Sequence, residues 1–170
     1  DDMTVIELQE RVAEMFGKEA GLFIASGTMS NAIALKTHTV PGDEIVCDKT
    51  AHIYRYEGGG YAALCGASIA LVEGEKSLMT PAQVKALIRK ADGSGSHYPN
   101  GSLVCVENTS NLGGGACYDL ETLDAIAEVA TSMDCKTHVD GARIFNAAIA
   151  TRVDVGRMCQ AYDSVSICFS

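Results

Sequence analysis

Residues 102–107 read Ser-Leu-Val-Cys-Val-Glu, an apolar run with almost no polar interruption. A strand with one wet face alternates apolar and polar side chains, so a near-continuous run belongs in a sheet covered on both faces. A parallel sheet between layers of helices is the usual setting. The chain on either side of this run agrees, because helical and strand patterns alternate along it. The expected fold class is therefore α/β, a three-layer sandwich around a mostly parallel sheet.

Strands are expected at residues 21–25, 44–48, 68–72, 102–107, 136–140 and 164–169. Helical spacing puts Leu8, Val12, Met15 and Phe16 on one face of residues 5–16, with Gly17 as the stop. The turn Ser26-Gly27-Thr28 leads into a helix over 31–39, and Pro41-Gly42-Asp43 breaks the chain before the next strand. Residues 50–64 read as helix interrupted by Gly58-Gly59-Gly60. Thr80-Pro81-Ala82-Gln83 has the form of a capping box with proline in the first turn, opening a helix to about Lys90. Asp119 caps a helix whose Leu123, Ile126, Ala127 and Ala130 share a face, and helices over 142–150 and 153–162 complete the set. At 170 residues, with no internal repeat and no linker, the chain reads as one domain.

Thirteen basic against 22 acidic side chains give a formal net charge of -9, which excludes a nucleic-acid binder by bulk charge. No stretch approaches the roughly 20 apolar residues of a membrane span, and Asp1-Asp2 is the wrong charge for a signal peptide. A cytosolic or organelle-matrix location is the default expectation, and of these the cytoplasmic one is taken. The seven cysteines are scattered, with no CxxC and no zinc spacing, so they read as reduced, mostly buried thiols and no metal site is expected.

In open α/β sheets ligands sit beyond the carboxyl ends of the strands. Collecting polar residues there gives Ser26-Gly27-Thr28, Asp48 to His52, Glu107-Asn108-Thr109 and Asp140-Gly141-Ala142-Arg143. Ser26-Gly27-Thr28 opens a helix, and its backbone N–H groups suit a phosphate, although an ordinary capping turn has the same composition. Neither G-x-x-x-x-G-K-[ST] nor G-x-G-x-x-G after a strand is present, which disfavours ATP and dinucleotides. His52 could stack on a flat cofactor ring or serve as a hydrogen-bonded structural histidine, while His38 and His138 read as structural. Asp140 and Arg143 can face one cleft, the acid suited to a protonated heterocyclic nitrogen and the arginine to a carboxylate. A local Asp140–Arg143 ion pair is the alternative.

Together, Ser26-Gly27-Thr28-Met29-Ser30-Asn31, His52-Ile53-Tyr54, Glu107-Asn108-Thr109, His138 to Arg143 and Asp163-Ser164-Val165-Ser166 resemble the low-specificity L-threonine aldolases, pyridoxal 5′-phosphate (PLP) enzymes of fold type I. The resemblance runs through the whole chain in order. It implies the PLP-binding large domain, with Ser26, Gly27 and Thr28 at the cofactor phosphate and His52 stacked on the ring and moving protons. Asp140 would pair with the pyridinium nitrogen, and Arg143 would bind the ring oxygen or the substrate carboxylate. A second family histidine near the substrate hydroxyl is matched loosely by His97. The implied reaction is retro-aldol cleavage of L-threonine or L-allo-threonine, a small amino-acid substrate, to glycine and acetaldehyde. The implied assembly is a homodimer or homotetramer.

Two departures accompany the resemblance. In the family the last strand runs directly into the Schiff-base lysine, and residues 166–170 end where that lysine is expected. The segment preceding Asp1 and the small C-terminal domain are also not in the sequence, so residues 1–170 are expected to be a fragment of the large domain. Two other readings stand beside the aldolase: another fold type I enzyme, a β-eliminating lyase or aminotransferase, and a non-catalytic α/β interaction domain whose polar strand ends are only caps.

Overall fold

The computed structural model describes residues 2–91 and 97–169. Five strands form one sheet in the order β2-β1-β3-β4-β5: β1 is Asp43–Asp48, β2 Ser68–Val72, β3 Asn100–Glu107, β4 Lys136–Gly141 and β5 Ser164–Ile167. Every pairing is parallel, so the sheet is wholly rather than mostly parallel. Its chain order reverses between β1 and β3, the position at which a crevice opens beyond the strand ends.

The continuous apolar runs feed both faces of the sheet. In β1, Val46 joins one core while Ile45 and Cys47 join the other, and in β3 Val104 and Val106 divide in the same way from Leu103 and Cys105. Helices α1 (Met3–Phe16), α5 (Pro81–Leu87), α6 (Leu120–Ser132), α7 (Ile144–Thr151) and α8 (Val155–Cys159) cover the first face with Phe16, Val84, Ile126, Ile144 and Met158. Helices α2 (Gly27–His38), α3 (His52–Arg55) and α4 (Gly60–Ala63) cover the second with Leu35, Ile53 and Tyr61. This is the three-layer sandwich expected from residues 102–107.

Local chemistry sets the element ends. Asp2 accepts from the Thr4 and Val5 amides at the start of α1, and Gly17 closes it at φ 59°, the left-handed region that glycine enters without a Cβ penalty. Thr80 and Gln83 complete the reciprocal capping box of α5, and Asp119 accepts from the Thr122 amide to begin α6. Helix α5 stops at Leu87, short of Lys90: Ile88 turns extended, at φ -68° and ψ 115°, and Arg89 pairs with buried Glu44 instead. The larger correction concerns residues 21–25. They form no strand, and Leu22 and Phe23 are exposed. The Phe23 amide donates to the Gln9 side chain of α1, so this segment crosses a helix rather than joining the sheet.

Candidate functional site

Helix α2 is placed with its first turn over the carboxyl ends of β4 and β5. Ser26 caps it, accepting from the Met29 amide at 3.2 Å. The Gly27 and Thr28 N–H groups, at the first two helical positions, have no partner within the helix and stay open to an anion. A Cβ on Gly27 would lie 2.9 Å from the Cys168 sulfur, so glycine lets this turn approach the chain after β5. One turn further along, Ser30 bonds Ser166 of β5 at 3.0 Å and Asn31 reaches Asp140 of β4.

Asn31 is the hub of a buried network. Its side-chain nitrogen donates to Glu57 at 2.8 Å and to Asp140 at 2.9 Å, matching two hydrogens with two carboxylates. Its oxygen faces His138 Nε2 at 3.1 Å. That arrangement fixes the protons: Nε2 of His138 donates, Nδ1 accepts the Ser164 hydroxyl at 2.8 Å, and Ser164 accepts from His38 Nε2 at 2.8 Å. His138 is fully buried, and desolvation lowers its pKa to about 3, so the ring is neutral. His38 and His138 are thus structural, as their positions suggest.

His52 follows β1 at the start of α3, its side chain partly open. Its ring packs at 5.4 Å from that of Tyr56, its amide donates to Glu107 at 2.9 Å, and its Nδ1 meets Glu57 at 2.9 Å. Burial raises the carboxyls of both Glu57 and Glu107 above the ordinary glutamate value, with Asp140 adding to the shift in each. Asp140 is 5% exposed, accepts from Asn31 and from the Ala142 amide, and has no ion-pair partner among the described residues. Arg143, three residues on, is exposed and forms no ion pair with it, so the purely local Asp–Arg pair does not occur.

The structure therefore brings Ser26, Gly27, Thr28, His52, Asp140 and Arg143 to one edge of the sheet. It does not bring His97. That residue is exposed, packs on Tyr98 at 4.2 Å, and precedes β3, whose carboxyl end at Glu107 lies about 23 Å beyond its start at Asn100, at roughly 3.3 Å per residue. Tyr98 lies under Arg89, which in turn pairs with Glu44 at the start of β1, so His97 belongs to the opposite edge. The sequence reading gave no role to Glu57 or Asn31. Asn31 falls four residues after Gly27, the spacing that returns to one helix face, and Glu57 is an acid set between aromatic residues and Gly58-Gly59-Gly60.

His52, Glu57 and Asp140 present ligand-type atoms within 4.8 Å of one another. The Asn31 amide stands between the two carboxylates with its hydrogens toward them, and this fills the cluster with a donor rather than leaving space for a cation. The donor set does fit PLP. An open helix start suits the phosphate, a buried acid without a cationic partner suits a protonated ring nitrogen, and a partly open imidazole lies beside them.

Across its whole length, residues 1–170, the chain matches the beta-eliminating lyase family. It is 40% identical over 171 residues to low-specificity L-threonine aldolase 1 of Arabidopsis thaliana, spanning 99% of this chain and 48% of that protein. It is 35% identical over 170 residues to the low specificity L-threonine aldolase of Escherichia coli, spanning all of this chain and 50% of that one. The chain thus spans about half the length of these curated relatives. The solved threonine aldolase of Leishmania major shares the fold, with a TM-score of 0.79 at 20% identity over 89% of this chain and 44% of that one. With its whole length matched, the chain belongs to the beta-eliminating lyase family.

Proposed function

We propose that this chain is the cofactor-binding part of a PLP-dependent aldolase that cleaves L-threonine or L-allo-threonine to glycine and acetaldehyde. The observation that carries the reading is Asp140: a buried acid at the end of a central strand, held by one amide and one backbone N–H, with no ion-pair partner among the described residues. The names of the relatives supply the reaction class. Bound here, PLP would supply the electron sink for the pair released when the Cα–Cβ bond breaks.

The residues of the chain divide the remaining work. The Gly27 and Thr28 amides and the Ser26 cap bind the phosphate at the start of α2. Asp140 would hold a protonated ring nitrogen, and Arg143, exposed at the cleft, would bind the ring oxygen or the substrate carboxylate. His52 would pack against the ring, and its Nε2, the nitrogen not engaged by Glu57, would take the β-hydroxyl proton. We further propose a cytoplasmic homodimer or homotetramer. No described helix is long and apolar enough to cross a membrane, and exposed Leu22, Phe23 and Ile149 suit burial against a second copy.

The test uses the full-length protein with L-threonine, assayed for glycine and acetaldehyde, and with serine, assayed for pyruvate and ammonia. Aldol products with PLP bound are expected, together with near-complete loss of turnover in Asp140→Ala. Pyruvate as the dominant product would transfer the site to β-elimination, and an Asp140→Ala variant with wild-type turnover would refute the reading.

A further inference from the structure

We propose that Glu57 is the positioning residue of this site, holding His52 as its Nδ1–H tautomer so that the Nε2 lone pair is free to face the substrate. The inference rests on the reading of His52 as the base, but the geometry that carries it involves only side chains of this chain. Glu57 is 9% exposed, and its Oε1 lies 2.8 Å from the Asn31 amide nitrogen and 2.9 Å from His52 Nδ1. The amide nitrogen donates to Oε1, and the ionised carboxylate, having no hydrogen of its own, also accepts from His52, which places the shared hydrogen on Nδ1. The direction of the Asn31 amide is not free either. Reversing it would aim its oxygen at the oxygens of two carboxylates.

A neutral imidazole has one donor and one acceptor nitrogen, so the tautomer decides which atom can take a proton. With Nδ1–H given to Glu57, Nε2 carries the lone pair. When Nε2 takes the β-hydroxyl proton, the resulting imidazolium keeps its Nδ1–H bond to the carboxylate, which stabilises the new positive charge. No other residue need move. In free solution the opposite tautomer, protonated at Nε2, is favoured, and a ring in that form would present a donor where the reaction needs an acceptor.

The experiment uses full-length protein labelled with 15N-histidine, whose ring nitrogen shifts separate donor from acceptor positions, in wild type, Glu57→Gln and Glu57→Ala. The glutamine keeps an oxygen able to accept both bonds; the alanine keeps none. Wild type and Glu57→Gln are expected to show His52 protonated at Nδ1, and Glu57→Ala to show it protonated at Nε2. In turnover assays Glu57→Ala is expected to lose about 10- to 100-fold in kcat, less than the upper end of what a general base contributes, with Glu57→Gln recovering most of that loss. An Nε2–H ring in wild type, or Glu57→Ala with the wild-type tautomer and kcat, would overturn the proposal. If Glu57→Ala does not fold, the wild-type and Glu57→Gln spectra still decide it. These spectra are read on protein without PLP, so a failure of the aldolase reading, seen as no aldol products from wild type, is distinct from a failure of the tautomer assignment.

Discussion

Replacing Asn31 with alanine should destabilise the protein more than its small volume suggests. The side chain is 3% exposed and makes two hydrogen bonds to buried carboxylates, at 2.8 Å to Glu57 and 2.9 Å to Asp140. Bonds to charged groups contribute about 1.5–3 kcal/mol each. Losing both would cost about 3–6 kcal/mol, and water entering the vacated space would reduce this to about 3 kcal/mol. The pH dependence identifies the cause. Glu57 already has a raised pKa, chiefly from burial, and Asn31 opposes that rise. Without the amide the carboxyl shifts further up, so the variant carries a penalty for the ionised acid that is relieved as pH falls and the group protonates. The deficit against wild type should therefore shrink between neutral pH and the ordinary glutamate value of 4.5. Asn31→Asp separates donors from volume: it keeps the shape but aims a third acid at two others, and should be worse than alanine at pH 7. Urea denaturation followed by far-ultraviolet circular dichroism measures both variants. An alanine deficit under about 1 kcal/mol, a deficit independent of pH, or an aspartate variant as stable as wild type would refute the reasoning.

Three further outcomes follow from the same contacts. His138, with its pKa lowered to about 3 by burial, stays neutral while the unfolded imidazole protonates, so stability is full above about pH 6.5 and falls toward pH 3 by up to about 1.4 kcal/mol per unit; His138→Gln, which still donates to Asn31, should flatten that slope in urea titrations across this range. Gly27→Ala should weaken PLP binding about tenfold through the 2.9 Å approach to the Cys168 sulfur, and Cys168→Ala should restore it, as read by absorbance titration. Timed alkylation with mass mapping should label Cys117 and Cys168 before the other five cysteines of this chain, because those five are buried; early labelling of Cys47 or Cys105 would contradict the packing.

How much of the site the sequence reveals depends on how far each residue acts from its own neighbours in the chain. Residues 102–107 disclose a doubly covered strand because burial on both faces leaves no polar position to disguise it, and the capping box at Thr80 is visible because its bonds close within four residues. His52 and Asp140 could be collected by a rule about strand ends because β1 and β4 run parallel, which puts both carboxyl ends on one edge. The same rule explains the misplacement of His97: it lies just ahead of a strand rather than just after one, and in a parallel sheet that difference is the whole length of β3. Residues 21–25 have strand composition, but a strand needs a neighbour with unpaired backbone groups, and their local sequence cannot say that this segment crosses α1 instead. Glu57 is the hardest to foresee, because its partners lie 5 and 26 residues away and its neighbours in sequence are glycines and a tyrosine. Yet once the fold closes, burying an acid there requires donors, and Asn31 and His52 are the ones supplied. Because the cost of burying Glu57 is met by fixing the hydrogen positions of two other side chains, its removal should disturb proton placement in the site as well as stability.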